Sequence, residues 1–310
     1  ARLNAKASSP IRNSMTVEGI KRLENRFSSM EGFHTPEARA HSRAPLERYF
    51  YHLRYRRVQN LLDRHARTAE KVLDMGCGFG VHTRYLQAEL RVPAVGIDLD
   101  YNKLVLAKAR SRALHTAPFP SFVTSDATRP PFGPGCFDCI LMTEVLEHLV
   151  HPREGLAAAN TLLAPGGTLL LTTPSRHDLA YTLNPFLILE KLLSLAWDNV
   201  LPPYHHLHER REYDRRNPAP QYGMHFHFSR RELTDMLSEN GFETVALGSF
   251  EVEVPLLPWI GHLAEQSPDR LARLLDPAVS GLEKVPILNL LGQHLVCVAR
   301  KERALREASS

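Results

Sequence analysis

"KVLDMGCGFGVHTRYL", Lys71 to Leu86, runs from a short apolar stretch through a glycine-rich turn into a segment with helical periodicity. Asp74 precedes the three glycines Gly76, Gly78 and Gly80. The pattern predicts a buried strand, a tight turn and a helix. A turn of this kind, after the first strand of a parallel sheet, points backbone N–H groups and a helix N-terminus at a ligand.

Working outward, apolar runs alternate with helical patterns. "PLERYFYHLRYRRVQNLLDRH" precedes the turn as a helix opened by Pro45. After it come the strand "PAVGIDLD", the helix "YNKLVLAKARSRAL", the strands "SFVTSDA" and "FDCILMTEV", the helix "PREGLAAANTLL" and the strand "GGTLLLTTPS". Near-continuous apolar strands between helices imply an α/β fold with a parallel sheet covered on both faces. "SRRELTDMLSENGF" predicts one more helix, with Ser229 as N-cap, Glu232 closing a capping box and Gly241 just past the end. "FETVALGSF" and "QHLVCVARK" complete the strands.

The turn's ligand is narrowed by its acidic neighbours. Turns that hold a dinucleotide pyrophosphate usually read GxGxxG, whereas this one reads GxGxG with an aspartate two residues ahead. Asp74 is placed to receive a cationic amine. Asp98, closing the second strand, can accept both hydroxyls of a ribose. In the "SDA" that ends the third run, Asp126 can accept from an adenine amino group while the Ala127 backbone meets the ring edge. An amine, a ribose and an adenine at three successive strand ends describe S-adenosylmethionine.

The stretches "VLDMGCGFG", "VGIDLD", "SDATRPPF", "FDCILMTEVLEHL" and "LLAPGGTLLLTTPS", spread over Lys71 to Ser175, together resemble the class I S-adenosylmethionine-dependent methyltransferases, in the group that includes small-molecule and ubiquinone-type enzymes. "HFHFSRRELTDMLSENGF" resembles the same family's helix leading into the sixth strand. The resemblance implies a Rossmann-like, seven-stranded sheet with the last strand antiparallel. It also implies that Asp74, Gly76 and Gly78 surround the methionine part of the cofactor, Asp98 and Leu99 the ribose, and Asp126 and Ala127 the adenine. Thr143 is expected to approach the methionine part through its backbone. The helix from about Pro45 to His65 is expected to fold over the cofactor and bring Tyr51, His52 or Arg54 to it, with Arg54 suited to the methionine carboxylate.

Two long insertions depart from the family's minimal pattern and predict a large, mainly helical lid. The expected organisation is a flexible arm over 1–45, a cofactor-binding core over 46–175 and a lid insertion over 176–228. A core helix and strand over 229–251, a second helical lid insertion over 252–291, and a closing strand and tail over 292–310 follow. "LNPFLILEKLLSLAW" and "VPLLPWIGHL" in the insertions are rich in apolar side chains, including Phe186, Leu189 and Trp259. They suit either the lid's own core or a pocket for an apolar acceptor. Among the histidines, His148, His225 and His227 are the candidate bases, with Glu144 a further one. An oxygen nucleophile needs a base and histidine titrates in the right range. His148 and Glu144, four residues apart, are expected to share a helical face.

The 310 residues are 43% hydrophobic and carry a formal net charge of +4, a diffuse excess rather than the clustered basic face that nucleic acid requires. The four cysteines, Cys77, Cys136, Cys139 and Cys297, show no paired metal-ligand spacing, so no metal site is expected. Free thiols and the lack of a spanning-length apolar run suit a cytoplasmic protein, with peripheral membrane contact open to the lid. The expected function is methyl transfer from S-adenosylmethionine to a small, apolar acceptor, oxygen before nitrogen or carbon. The alternatives are a tRNA or protein methyltransferase, a silent cofactor-binding scaffold, and a nicotinamide-dependent oxidoreductase, against which the GxGxG spacing and Asp74 argue.

Overall fold

A computed structural model describes residues 45–114, 118–176, 226–250 and 292–303, with positions 277 and 281, and gives residues 45–51 by backbone alone. The N-terminal arm and nearly all of both lid insertions lie outside the described residues.

Helix α1 (Pro45–His65) leads into β1 (Val72–Met75), α2 (Val81–Ala88), β2 (Ala94–Asp98), α3 (Tyr101–Ala113), β3 (Ser121–Thr124) and β4 (Phe137–Thr143). A 3₁₀ turn (Leu146–His148), α4 (Pro152–Leu162), β5 (Leu163–Pro174), α5 (Arg230–Glu239), β6 (Phe242–Phe250) and β7 (His294–Lys301) follow. The strands form one sheet in the order β3-β2-β1-β4-β5-β7-β6. β1 to β5 pair in parallel, and β7 lies antiparallel between β5 and β6. The seven-stranded α/β sheet with its antiparallel last strand is the expected one.

The strand period of two sorts the core into layers. Leu73, Met75, Ile140 and Met142 face one side, where Leu156 of α4 and Leu233 and Leu237 of α5 pack. Val72, Cys139 and Leu141 face the other, against Val58 and Leu62 of α1 and Leu86 of α2. Both faces are covered, which is why every residue of β1 is buried, Asp74 included.

Local signals set the ends of α5. The Ser229 hydroxyl accepts from the Glu232 N–H at 3.2 Å, and Glu232 Oε2 accepts from the Ser229 N–H at 2.9 Å. Gly241 then leaves the helix with φ +72°. β3 stops at Thr124, so "SDA" is loop rather than strand. No described helix is long and apolar enough to cross a membrane.

Candidate functional site

The order of strands reverses between β1 and β4, which leave opposite ways from the centre of the sheet. A crevice opens there at the carboxyl ends of the strands, the ligand position of such sheets. The glycine turn lines its near side. A Cβ built on Gly76, whose φ is +74°, would lie 2.4 Å from Val145 Cγ2. That glycine is therefore the close approach between the β1 turn and the loop after β4. Gly78, at φ +51°, has no atom within 4 Å of where its Cβ would stand. The turn's outer surface is thus open at Gly78, over the end of β2.

At that opening Asp98 accepts the Gly78 N–H on Oδ2 and the Asp100 N–H on Oδ1, both at 2.8 Å. Asp100 in turn caps α3 by accepting from the Asn102 and Lys103 N–H groups. Leu99 and Tyr101 flank the carboxylate with 58% and 60% of their surface exposed, so two apolar side chains face outward beside the ribose candidate. Asp126 is exposed and its Oδ1 accepts from the Thr128 N–H at 2.8 Å and hydroxyl at 2.9 Å, which fixes the loop after β3. Ala127 packs against the core beside it.

Asp74 sits differently from the sequence picture of an aspartate presented to a ligand. Alternation along β1 turns it to the α2 face, under the glycine turn. It is 1% exposed, and Oδ2 accepts from the Thr83 hydroxyl of α2 at 2.6 Å. Oδ1 is buried with no hydrogen-bond partner among the described residues. Burial pushes this carboxyl up to about 7, the Thr83 hydrogen bonds oppose that, and the Asp98 charge adds to it. This orphaned buried oxygen beneath the glycine turn fits a donor that reaches it from that side.

On the far side of the crevice, Thr143 ends β4 half-buried. Glu144 then adopts φ +54°, rare for a residue with a side chain. This corrects the expected helical pairing of Glu144 with His148. Glu144 is a left-handed corner outside the 3₁₀ turn, so the two share no helix face. His148 is exposed, with Nε2 4.0 Å from Glu147 Oε1. His227 is exposed and Tyr51 and His225 lie outside the described side chains.

The Glu144 corner gathers partners from three other elements. Oε1 accepts from the Thr172 hydroxyl of β5 at 2.8 Å. Oε2 lies 3.0 Å from His294 Nε2, at the start of β7, and 3.9 Å from Arg54 Nη1 of α1. His294 stacks on Phe250. Burial would raise the Glu144 carboxyl, but the His294 charge and hydrogen bond, Arg54 and the Thr172 hydroxyl outweigh it and hold it down to about 2. Glu147, 1% exposed, takes the Thr173 hydroxyl on Oε2 at 3.1 Å. Burial, and then the Glu144 charge, push its carboxyl well above the usual range. The two carboxyls of the pair are thereby shifted in opposite directions.

His294, Thr172 and Glu147 are absent from the sequence-based site. "EVLEHL" contains both glutamates, but nothing in the local pattern of "QHLVCVARK" ties His294 to them. Only the antiparallel insertion of β7 beside β5 does. Among the described residues no group of three or more His, Cys, Asp or Glu side chains is arranged to hold a metal ion.

This fold, with its glycine cradle and carboxylate at the ends of β1 and β2, is that of an S-adenosylmethionine-binding enzyme core. A family model described as "Methyltransferase domain" matches residues 46–247. The chain belongs to that family, within the class I S-adenosylmethionine-dependent methyltransferases. It is similar to the ubiquinone biosynthesis O-methyltransferases of Colwellia psychrerythraea, 32% identical over 42% of this chain and 52% of that protein, and of Chromobacterium violaceum, 34% identical over 40% and 53%. The chain spans about half the length of these curated relatives. Among solved structures, the [4+2]-cyclase SpnF matches with TM-score 0.50 and 17% identity over 80% of this chain and 81% of that one. The PH0226 protein of Pyrococcus horikoshii matches with TM-score 0.50 and 14% identity over 81% and 91%. At these identities the likeness is one of fold. A neighbour described as a cyclase also illustrates that fold alone does not determine the reaction.

Proposed function

We propose that this chain transfers the methyl group of S-adenosylmethionine to a small, apolar acceptor, at oxygen in preference to nitrogen or carbon. The observation that carries the cofactor part is the cradle: an open glycine turn at Gly78 whose amide is tied to the Asp98 carboxylate. The relatives, described as O-methyltransferases of ubiquinone biosynthesis, support oxygen on an apolar molecule as the acceptor.

In this reading Gly76 and Gly78 bring the backbone to the methionine part. Asp98 turns its carboxylate to the ribose hydroxyls, and Leu99 covers the ribose. Asp126 and Ala127 take the adenine edge. The Thr143 backbone borders the methionine part, Arg54 offers its carboxylate a cation, and Asp74 anchors the amine side from beneath. The cofactor supplies a methyl group already activated as a sulfonium, so the chain's task is approach geometry and exclusion of water. The insertions over 176–228 and 252–291, rich in Leu, Phe, Trp and Pro, suit the enclosing role, and a membrane-peripheral acceptor is compatible with them. His148, His225 and His227, with Glu144, are the candidates to take an acceptor's proton.

The test is methyl transfer from radiolabelled S-adenosylmethionine to 4-octylphenol, 4-octylaniline and bulk tRNA, offered separately. Label extracted with the octylphenol supports the reading. Label in tRNA alone replaces it with the nucleic-acid alternative, and label in none of them leaves the binding scaffold.

A further inference from the structure

We propose that Glu144, fixed by His294, is the acceptor-side catalytic residue: it takes the hydrogen bond of the acceptor's hydroxyl and then its proton. The inference rests on the methyl-transfer reading and names the group that disposes of the proton. Four observations bear on it.

Glu144 stands next to Val145, the side chain that meets Gly76, so the residue is one step from the cofactor turn. It also lies on the β5 and β7 side of the crevice, away from the Asp98 carboxylate at the end of β2. That is where an acceptor must stand if the nucleotide occupies the β1, β2 and β3 ends.

The corner is strained. A glutamate at φ +54° stands in the left-handed region that residues with a side chain disfavour. Strain of that kind persists where surrounding contacts over-determine it, and it clusters at working sites. Here the Glu144 N–H donates to the Thr172 carbonyl at 3.0 Å while the Thr172 hydroxyl donates back to Oε1.

The carboxylate is oriented but not consumed. The side chain keeps 24% of its surface exposed, against 10% for His294. A carboxylate offers about four lone-pair sites; Thr172 and His294 use one each, and Arg54 stands 3.9 Å from Oε2. The exposed remainder can receive an acceptor O–H. His294, nearly buried and stacked on Phe250, acts through Glu144 as a positioning residue.

The charge suits the chemistry. As the acceptor oxygen bonds the methyl carbon, the carbon–sulfur bond breaks with its electron pair going to sulfur. Positive charge then leaves the sulfonium and builds on the oxygen. An oxygen so alkylated is a strong acid, so a carboxylate held down to about 2 is basic enough to take its proton. The O–H bond breaks, a neutral ether and a neutral thioether result, and Glu144 carries the proton. Its low pKa returns that proton to solvent at neutral pH. The Glu147 carboxyl is shifted the other way, well above the usual range, by burial and by the Glu144 charge.

The experiment uses the full chain saturated with S-adenosylhomocysteine and compares two probes by isothermal titration, 4-octylphenol and its methyl ether 4-octylanisole. Wild type should bind the phenol at least about tenfold more tightly, since a hydrogen bond to a charged group contributes about 1.5–3 kcal/mol. Glu144→Gln should bring the ratio close to one. In labelled transfer to 4-octylphenol, His294→Phe should lower kcat with little change in the KM for S-adenosylmethionine, and His294→Gln, whose amide can still donate to Oε2, should recover part of it. Equal binding of the two probes by wild type overturns the proposal. So does a preference that survives Glu144→Gln. If that variant fails to fold, an unchanged kcat in His294→Phe overturns it instead. A phenol preference lost in Glu144→Gln, without methyl transfer in wild type, upholds the hydrogen-bonding site and defeats the methyl-transfer reading alone.

Discussion

Gly76→Ala and Gly78→Ala, two residues apart in one turn, should fail in opposite ways. Both positions have positive φ, +74° and +51°, so an alanine at either costs about 1–2 kcal/mol of backbone energy. At Gly76 the new methyl would also lie 2.4 Å from Val145 Cγ2. Val145 is 8% exposed and held in the core with Leu146 and Met142, so it has little room to swing away. Overpacking of this kind adds about 1–3 kcal/mol. Gly76→Ala should therefore lose about 2–5 kcal/mol of unfolding free energy. Gly78→Ala, whose methyl meets nothing within 4 Å, should lose only the backbone cost. Its methyl instead stands in the space where the turn is open, so S-adenosylhomocysteine affinity should fall at least about tenfold, or about 1.4 kcal/mol. Urea unfolding gives the first quantity and isothermal titration the second. Introducing Gly76→Ala into a Val145→Ala background should cost less than in wild type by the overpacking share, the coupling that a double-mutant cycle isolates. Equal destabilisation by the two glycine variants, or an unchanged affinity in Gly78→Ala, would refute the division of the turn into a packed half and an open half.

Asp74 predicts a pH dependence of unusual sign for an aspartate. Its folded pKa, about 7, lies above the unfolded 3.8, so its contribution to stability is whole below 3.8 and is lost as pH rises through 7. The full shift is worth on the order of 4 kcal/mol at 1.36 kcal/mol per unit. Relative to wild type, Asp74→Asn should gain stability progressively between about pH 4 and about pH 8 in urea titrations, and a flat difference would contradict the buried assignment. Glu144 has the opposite sign, its folded pKa of about 2 lying below the ordinary 4.5. Its contribution is present above 4.5 and lost as pH falls through 2, so Glu144→Gln should lose its disadvantage toward wild type only in strong acid. Ser229→Ala removes the hydroxyl half of the capping box at α5, leaving the backbone N–H of residue 229 to Glu232, and should cost about 0.5–2 kcal/mol in thermal or urea unfolding, with cofactor affinity unchanged.

What could be read from the sequence follows the range of the interactions. Ser229, Glu232 and Gly241 announce the ends of α5 because a cap is decided within a few residues. The glycine turn and Asp98 are legible for the same reason: a strand, a turn and the next strand end form one local unit. The burial of Asp74 is written in the alternation Val72, Leu73, Asp74, Met75, since both faces of the sheet are covered, whereas its charge points to a ligand's amine. Glu144 and His294 were beyond reach as a pair. Their contact depends on the left-handed corner after β4 and on the register that sets His294 opposite Pro174. Neither is written in a local pattern, because a glutamate at positive φ has no sequence signature and β7 follows a long insertion. The lid expectations, with Phe186, Leu189, Trp259 and His225, lie outside the described residues.

The most direct measurement of the central claim is isothermal titration of wild type and Asp98→Ala with S-adenosylhomocysteine and with NAD. Saturable binding of S-adenosylhomocysteine to wild type is expected, weakened about 10- to 150-fold in Asp98→Ala by loss of a hydrogen bond to a charged group worth about 1.5–3 kcal/mol, with no binding of NAD. Binding of NAD in its place, or an Asp98→Ala variant of native fold with unaltered affinity, would contradict a cofactor held between the glycine turn and the end of β2.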